Sequence, residues 1–389
     1  MAWSEEDKLI LSILNQKDGA NFSLEEVELD RFTDLAREEG LSGILFKILK
    51  ENGQIQKFPA PVQKSLRESY LLSLTNNIVL INDLSRVLLS LEEKGVRIIV
   101  LKGSALLERV YKDMGARPVM DIDLLICDER DNDKVNGIME AIGYRLTSTC
   151  PRIYNNGRTI IDIHADIDSF TRLGHIPHTP ELDNNSLWDS GSPFGARFNS
   201  VRILSPEDTV LTLAIHLVKH SFLRLLWLVD IIEVIKGNPN IDWKKIGHRA
   251  RESGFEKIIY YVLSYINKIS RVIPEDLLLE IRPERSGLIE KKIMDRIIKN
   301  QRRDGYGDIL YFYTIKGTFR RILFASRILF PAQEKINEMS GSRYPFIYYL
   351  KRVLELFKIG ARYLWNYIAG GRSMTRGRSA VKGLRGERL

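Results

Sequence analysis

Two aspartates, Asp121 and Asp123, stand in MDIDLLIC, a stretch whose other side chains are apolar. A buried carboxylate is costly unless it is paired or holds a metal ion. On an extended strand residues i and i+2 point to one side, so both carboxylates share a face while Ile122, Leu124 and Ile126 alternate or run into the core. Such a pair is a seat for a divalent cation. A third carboxylate on a neighbouring strand would complete a two-metal site, in which ions about 3.5–4 Å apart activate an attacking oxygen and stabilise a leaving pyrophosphate. RTIIDIHADI at 158–167 supplies the candidate, because Asp162, His164 and Asp166 alternate with Ile161, Ile163 and Ala165. Asp162 is the first choice and Asp166 the alternative; His164 is placed to orient a carboxylate or to bind substrate. An edge strand with one wet face accounts for the same alternation without chemistry.

Upstream, RIIVLKGSALLERVY reads as a strand ending at Leu101, a tight turn permitted by Gly103 and a helix opened by Ser104. Backbone N–H groups and a hydroxyl would then converge on one anion. A plain strand-to-helix turn explains the same residues. A second constellation is helical: His216, His220, Arg224, Trp227 and Asp230 recur at helical spacing, setting two imidazoles, a guanidinium, an indole and a carboxylate on one side. Zinc is disfavoured, because Leu217 follows His216 where the HExxH pattern needs Glu. The alternative is a half-buried helix whose polar groups satisfy one another, Arg224 pairing with Asp230. His175, His178 and His248 find no convincing partner.

The elements that must position these residues follow from periodicity. Residues 5–50 and 61–94 show helical spacing, with Leu71, Leu74, Ile78, Ile81, Leu84, Leu88 and Leu91 as the stripe of the second segment and PAP at 59–61 as the break between them. Short β-branched strands and short helices then alternate: RIIVL, SALLERVY, MDIDLLIC, a helix over 131–142 closing at Gly143, Tyr144–Leu146, 158–167 and NSVRILS at 199–205. After Pro206 helical patterns fill 207–236, 242–270 and 287–330. The segmentation is an N-terminal helical region 1–94, a mixed α/β core 95–205, a helical substrate-side domain 206–335, an amphipathic helix 336–371 and a basic tail 372–389.

At 389 residues the chain can bury a sizeable core, and 44% hydrophobic with 28% charged residues excludes wholesale disorder and a disulfide scaffold. The net charge of +8 suits an anionic ligand without demanding nucleic acid. Much of it is terminal: Arg372, Arg376, Arg378, Lys382, Arg385 and Arg388 face Glu387, so the tail is a candidate contact for an anionic partner. The preceding segment, with Phe346, Leu350, Leu354 and Phe357 opposite Lys351, Arg352, Lys358 and Arg362, reads as a core-packed helix, with membrane-surface or RNA contact as the minority reading. Cysteines occur only at 127 and 150, the N-terminus lacks a signal peptide's pattern, and no run of eighteen apolar residues appears. A cytoplasmic protein without a transmembrane segment is expected.

Together the Gly-Ser turn, the Asp-x-Asp strand and the third carboxylate resemble the DNA polymerase β-like nucleotidyltransferase superfamily. VLKGSALL, ARPVMDIDLLI and IDIHADI, with PEDTVLTLAIHLVKHSFLRLLWLVDI at 206–231 and ILFPAQEKI, are similar to one branch of it, the uncharacterised nucleotidyltransferases, over roughly residues 70 to 360. Sixteen residues separate Ser104 from Asp121, more than the spacing commonest in the superfamily; the extra length carries Gly115-Ala116-Arg117-Pro118. The resemblance implies an α+β fold, a small mixed-sheet nucleotidyltransferase core flanked by helical regions. It also implies metal-dependent transfer of a nucleoside monophosphate, with ATP the default donor and Mg2+ or Mn2+ as cofactor. Asp121, Asp123 and Asp162 would be the metal ligands and catalytic carboxylates. Gly103 and Ser104 would hold the triphosphate, Lys102 and Arg117 would neutralise its charge, and the His216–Asp230 face would line the substrate cleft. The acceptor, whether small molecule, protein side chain or RNA end, stays open. A glycosyltransferase also uses Asp-x-Asp, but the Gly-Ser turn argues against it. A silent RNA- or protein-binding module would have no reason to keep carboxylates that repel one another.

Overall fold

A computed structural model describes residues 3–15, 22–147, 152–167, 181–329 and 354. The N-terminal region is helical: α1 Glu5–Leu14, α2 Leu29–Glu38, α3 Ser42–Glu51 and the long α4 Ala60–Glu93. The expected run over 5–50 is therefore three helices, the second and third parted at Gly40, whose φ of +75° suits glycine. In α4 the lower stripe is buried as expected, through Leu84, Leu88 and Leu91. Leu71 and Ile78 are instead exposed, at 43% and 49%. The reason is Asn77, which takes the buried position in mid-helix and donates from Nδ2 to the carbonyls of Met114 and Arg117, 2.7 Å each. That helix thereby grips the loop leading into the aspartate strand. Gly115 in the loop sits where a Cβ would come within 2.4 Å of the Tyr70 ring, so only glycine fits.

The sheet follows. Its strands are β1 Ile98–Leu101, β2 Ile122–Ile126, β3 Arg145–Leu146, β4 Ile153–Asn155, β5 Ile160–His164, β6 Ser192–Pro193 and β7 Val201–Ile203. Their spatial order is β3-β4-β5-β2-β1-β7-β6. The central strand β2 runs antiparallel to β1 and parallel to β5. Between the strands lie α5 Lys102–Leu106, which continues as a π-helical turn Leu107–Tyr111, then α6 Asn132–Ala141 and α7 Asn184–Ser190. One face of the sheet, with Ile98, Val100, Ile122, Leu124, Ile161 and Ile163, closes a core against α4 and α6. Burying that face fixes the register of β2 and β5, because a one-residue slip would turn every side chain over. The remaining side chains of β2 and β5, Asp123, Asp162 and His164 among them, are thereby set on the opposite face.

Helices resume with α8 Pro206–Lys219 and α9 Leu225–Gly237. The expected single pattern over 207–236 is a hairpin of two helices, broken where Ser221 and Phe222 both take left-handed φ, +55° and +59°. Two such residues are strained. They are held by Phe222 N–H bonding Leu217 O at 2.9 Å and by the Ser221 hydroxyl accepting from Gly307 N–H at 3.0 Å. The run 242–270 likewise divides into α10 Trp243–Glu252 and α11 Glu256–Ser270 around Gly254, and α12 Glu275–Glu280, α13 Leu288–Ile298, α14 Tyr306–Thr314 and α15 Thr318–Leu329 follow. Glu39 ties the end of α2 to this region, accepting from Leu225 N–H and from Arg302 at 2.6 Å each.

Residues Met1–Ala325 form one compact unit and Ser326–Leu389 another. The helix expected at 336–371, of which Leu354 alone is described, and the tail at 372–389 lie outside the described residues. Among the described residues no helix is long and apolar enough to cross a membrane.

Candidate active site

The site is a product of strand register. Parallel pairing sets Asp123 of β2 directly beside Asp162 of β5, and antiparallel pairing sets Leu101, the last residue of β1, opposite Asp123. Three strand positions thus converge on one carboxylate. Asp123 is buried, 5% exposed, and its Oδ1 accepts two hydrogen bonds, from Lys102 Nζ at 2.5 Å and from His164 Nε2 at 2.8 Å. The same imidazole nitrogen lies 3.5 Å from Asp162 Oδ2. Ligand atoms of Asp123, Asp162 and His164 all fall within 4.8 Å of one another.

Asp121 sits just before β2, two residues back on the aspartate side. Burial pushes its carboxyl up to about 6, repulsion from Asp123 and Asp162 adds to this, and Lys102 only partly offsets it. Burial acts on Asp123 in the same direction, but Lys102 and His164 overcome it and hold that carboxyl well below the usual range. Three carboxylates thus crowd one lysine. Lys102 is itself raised: burial lowers it, and Asp123, Asp121 and Asp162 more than compensate.

The turn before α5 differs from expectation. The left-handed residue is Lys102, φ +47°, and not Gly103. Gly103 is required for a different reason: a Cβ there would lie 2.6 Å from Arg117 Nη1 and 3.0 Å from Val119. The helix starts at Lys102, before Ser104, and α5 runs for five residues before it continues as the π turn. Ser104 is fully buried, and among the described residues its hydroxyl has no hydrogen-bond partner.

Arg117 and Asp230 are brought together by the fold. The expected partner of Arg117 is phosphate, and that of Asp230 is substrate or Arg224. They bind each other instead: Nε donates to Asp230 Oδ1 at 2.8 Å and Nη2 to Oδ2 at 2.7 Å, while Nη1 donates to Pro118 O. Both are buried, and Tyr111 from the π turn donates to Asp230 Oδ1 at 2.7 Å. Bidentate geometry and exclusion of water make this a structural clamp between the aspartate loop and α9. Tyr111 has no signal of its own in the sequence; its partner lies in a helix far along the chain.

A family model described as uncharacterised nucleotidyltransferase matches residues 25–270. The chain belongs to that family. The match includes the whole sheet and α2 through α11. No curated protein and no solved structure matches the chain.

In this nucleotidyltransferase the α8–α9 hairpin carries an aromatic cluster. His216 and His220 have ring centroids 4.5 Å apart, and Trp227 stands 5.0 Å from the first and 4.9 Å from the second. The Arg224 guanidinium lies over the Trp227 ring at 6.0 Å. Because the helix breaks at Ser221, these residues come from two helices rather than one face. Burial pushes His216 well below its ordinary range, and Lys102 and His220 add to that, so the imidazole is neutral and within electrostatic reach of the carboxylates. Asp166, expected on the strand face with His164, lies beyond the end of β5 and outside the tight cluster.

The donor set fits a hard divalent cation. Carboxylate oxygens suit Mg2+ or Mn2+, and imidazole is tolerated by Mn2+.

Proposed function

We propose that this nucleotidyltransferase moves a nucleoside monophosphate, with ATP as the default donor, onto a hydroxyl or phosphate acceptor. The observation that carries the reading is the register that sets Asp123 beside Asp162 with His164 between them. In the transfer the acceptor oxygen forms a bond to the α-phosphorus, the α–β phosphoanhydride breaks, and pyrophosphate leaves with the electron pair. Asp121, Asp123 and Asp162 would hold Mg2+ or Mn2+, which when bound supplies charge neutralisation at the phosphates and lowers the acceptor's pKa.

The protein's own residues do the rest. Asp162, the partly exposed carboxylate, accepts the proton from the attacking hydroxyl. His164 bonds Asp123 and orients it between β2 and β5. The buried Ser104 hydroxyl and the Lys102 ammonium are the phosphate contacts, a role that would satisfy the orphaned Ser104 hydroxyl. Trp227, His216 and His220 offer an aromatic wall to the donor base or the acceptor. NTP supply and the buried free thiol of Cys127 support a cytoplasmic site of action.

The test uses purified protein, each α-32P-labelled NTP, Mg2+ or Mn2+, and RNA, protein and metabolite fractions as acceptors. Label is expected in one fraction, lost with EDTA and with Asp121→Asn, Asp123→Asn or Asp162→Asn while the circular dichroism melt persists. Unchanged turnover in the Asp121 and Asp123 variants would refute the assignment.

A further inference from the structure

Lys102 combines three observations that the transfer reaction leaves unexplained. Its ammonium bonds Asp123 Oδ1, the oxygen that His164 also bonds, so both donors occupy a proposed metal-ligand atom. Its backbone is left-handed at φ +47°, a conformation that glycine adopts without steric cost and lysine does not. Arg117, the neighbouring cation, is committed to Asp230 and cannot replace it.

We propose that Lys102 is a tethered counter-ion, which holds Asp123 while the site is empty of divalent metal and releases it to the triphosphate when metal and nucleotide load. The proposal deepens the metal-dependent reading of the site and rests on it.

Of the two donors on Asp123 Oδ1, Lys102 is the one able to leave. His164 is fixed by β5, where its register partner is Leu125, and its ring turns on two torsions only. Lys102 has a four-carbon stem with freely rotating torsions, so its head can swing without moving a strand. The strained backbone keeps the stem over Asp123. Antiparallel pairing of Leu101 with Asp123 brings the following residue level with the carboxylate, and the left-handed turn then lets the chain enter α5 at once. The ammonium stabilises the crowded carboxylates in the metal-free fold, and by the same contact it competes with a cation for Asp123.

The consequence is a reciprocal coupling. A ligand that draws the ammonium away from Asp123 strengthens cation binding there, and a cation that displaces it frees a positive charge for phosphate. Metal and nucleotide therefore favour each other's binding through one side chain.

The experiment measures Mn2+ binding to the full chain without nucleotide, by the electron paramagnetic resonance signal of free Mn2+. Lys102→Met and Lys102→Gly are compared with the unaltered protein and with Asp123→Asn. Glycine suits the backbone at this position, so it supplies the reading should the methionine variant fail to fold. Both Lys102 variants are expected to bind Mn2+ at least ten-fold more tightly than the unaltered protein, and to melt at lower temperature in EDTA with the loss recovered on adding Mn2+. A merely structural lysine would leave affinity unchanged or weaken it, and that result in a folded variant overturns the proposal while the metal reading stands. Absence of Asp123-dependent Mn2+ binding in every protein would overturn both.

Discussion

Asp230→Asn probes how the helical hairpin fixes the loop before the aspartate strand. The carboxylate is fully buried and holds Arg117 through two bonds of 2.8 and 2.7 Å, with the Tyr111 hydroxyl on the same group. The substitution keeps the volume but removes the charge and turns one acceptor oxygen into a donor facing a guanidinium. Leaving one partner of a buried ion pair uncompensated costs about 3–5 kcal/mol. Against a total stability of about 5–15 kcal/mol for a folded domain, that is a large fraction. The loss should fall on the site as well, because Arg117 packs directly on Gly103, where an added Cβ would lie 2.6 Å from Nη1. The assay is a double-mutant cycle in urea, followed by tryptophan fluorescence, with Arg117→Met as the second change. With the guanidinium gone, Asp230→Asn should cost no more than about 1 kcal/mol, since Asn still accepts from Tyr111; the coupling is therefore at least about 2 kcal/mol. A coupling below about 1 kcal/mol would refute the clamp.

Gly103→Ala should destabilise the fold by about 1–3 kcal/mol and reduce transfer, because its Cβ would press on Arg117 and Val119; an unaltered melt and rate would show that the contact relaxes freely. Asp83 gives a pH signature: burial raises its carboxyl, but hydrogen bonds from Thr159 and Asn156 and the charges of Arg86 and Arg158 outweigh this and lower it. Stability from a lowered carboxyl is present above the unfolded value of about 3.9 and lost as pH falls through the folded one. The melting temperature of Asp83→Asn should therefore lie below that of the unaltered protein at pH 6, with the gap closing as pH drops below about 4; a constant gap would contradict the assignment.

Much of the site is legible in residue types and spacing. Asp121 and Asp123 in an apolar run, and Asp162 and His164 alternating with Ile161 and Ile163, share faces because strand side chains repeat every two residues. The burial pattern of β5, with Ile161 and Ile163 in the core and Ile160 exposed, follows that alternation from Ile161 onward. Asp166 departs from the pattern because the strand ends at His164, and no period marks where pairing stops. Helix ends are hidden for a related reason. Ser221 and Phe222 are unexceptional helical residues by propensity, and their left-handed backbone depends on Gly307, brought in from α14. Leu71 and Ile78 fit the stripe of α4, but Asn77 takes the buried face because the loop above it needs donors.

The sequence alone determined which residues could bind a cation, the family to which the chain belongs and the mixed α/β character of its centre, since these depend on residue type and short-range spacing. Tertiary structure decided what each charge is paired with. Arg117 and Asp230 meet across a separation of 113 positions, and Lys102 reaches Asp123 only because antiparallel pairing brings the end of β1 beside it. Charge pairing depends on distance in space, and a periodic pattern along the chain carries no information about which distant segment will arrive.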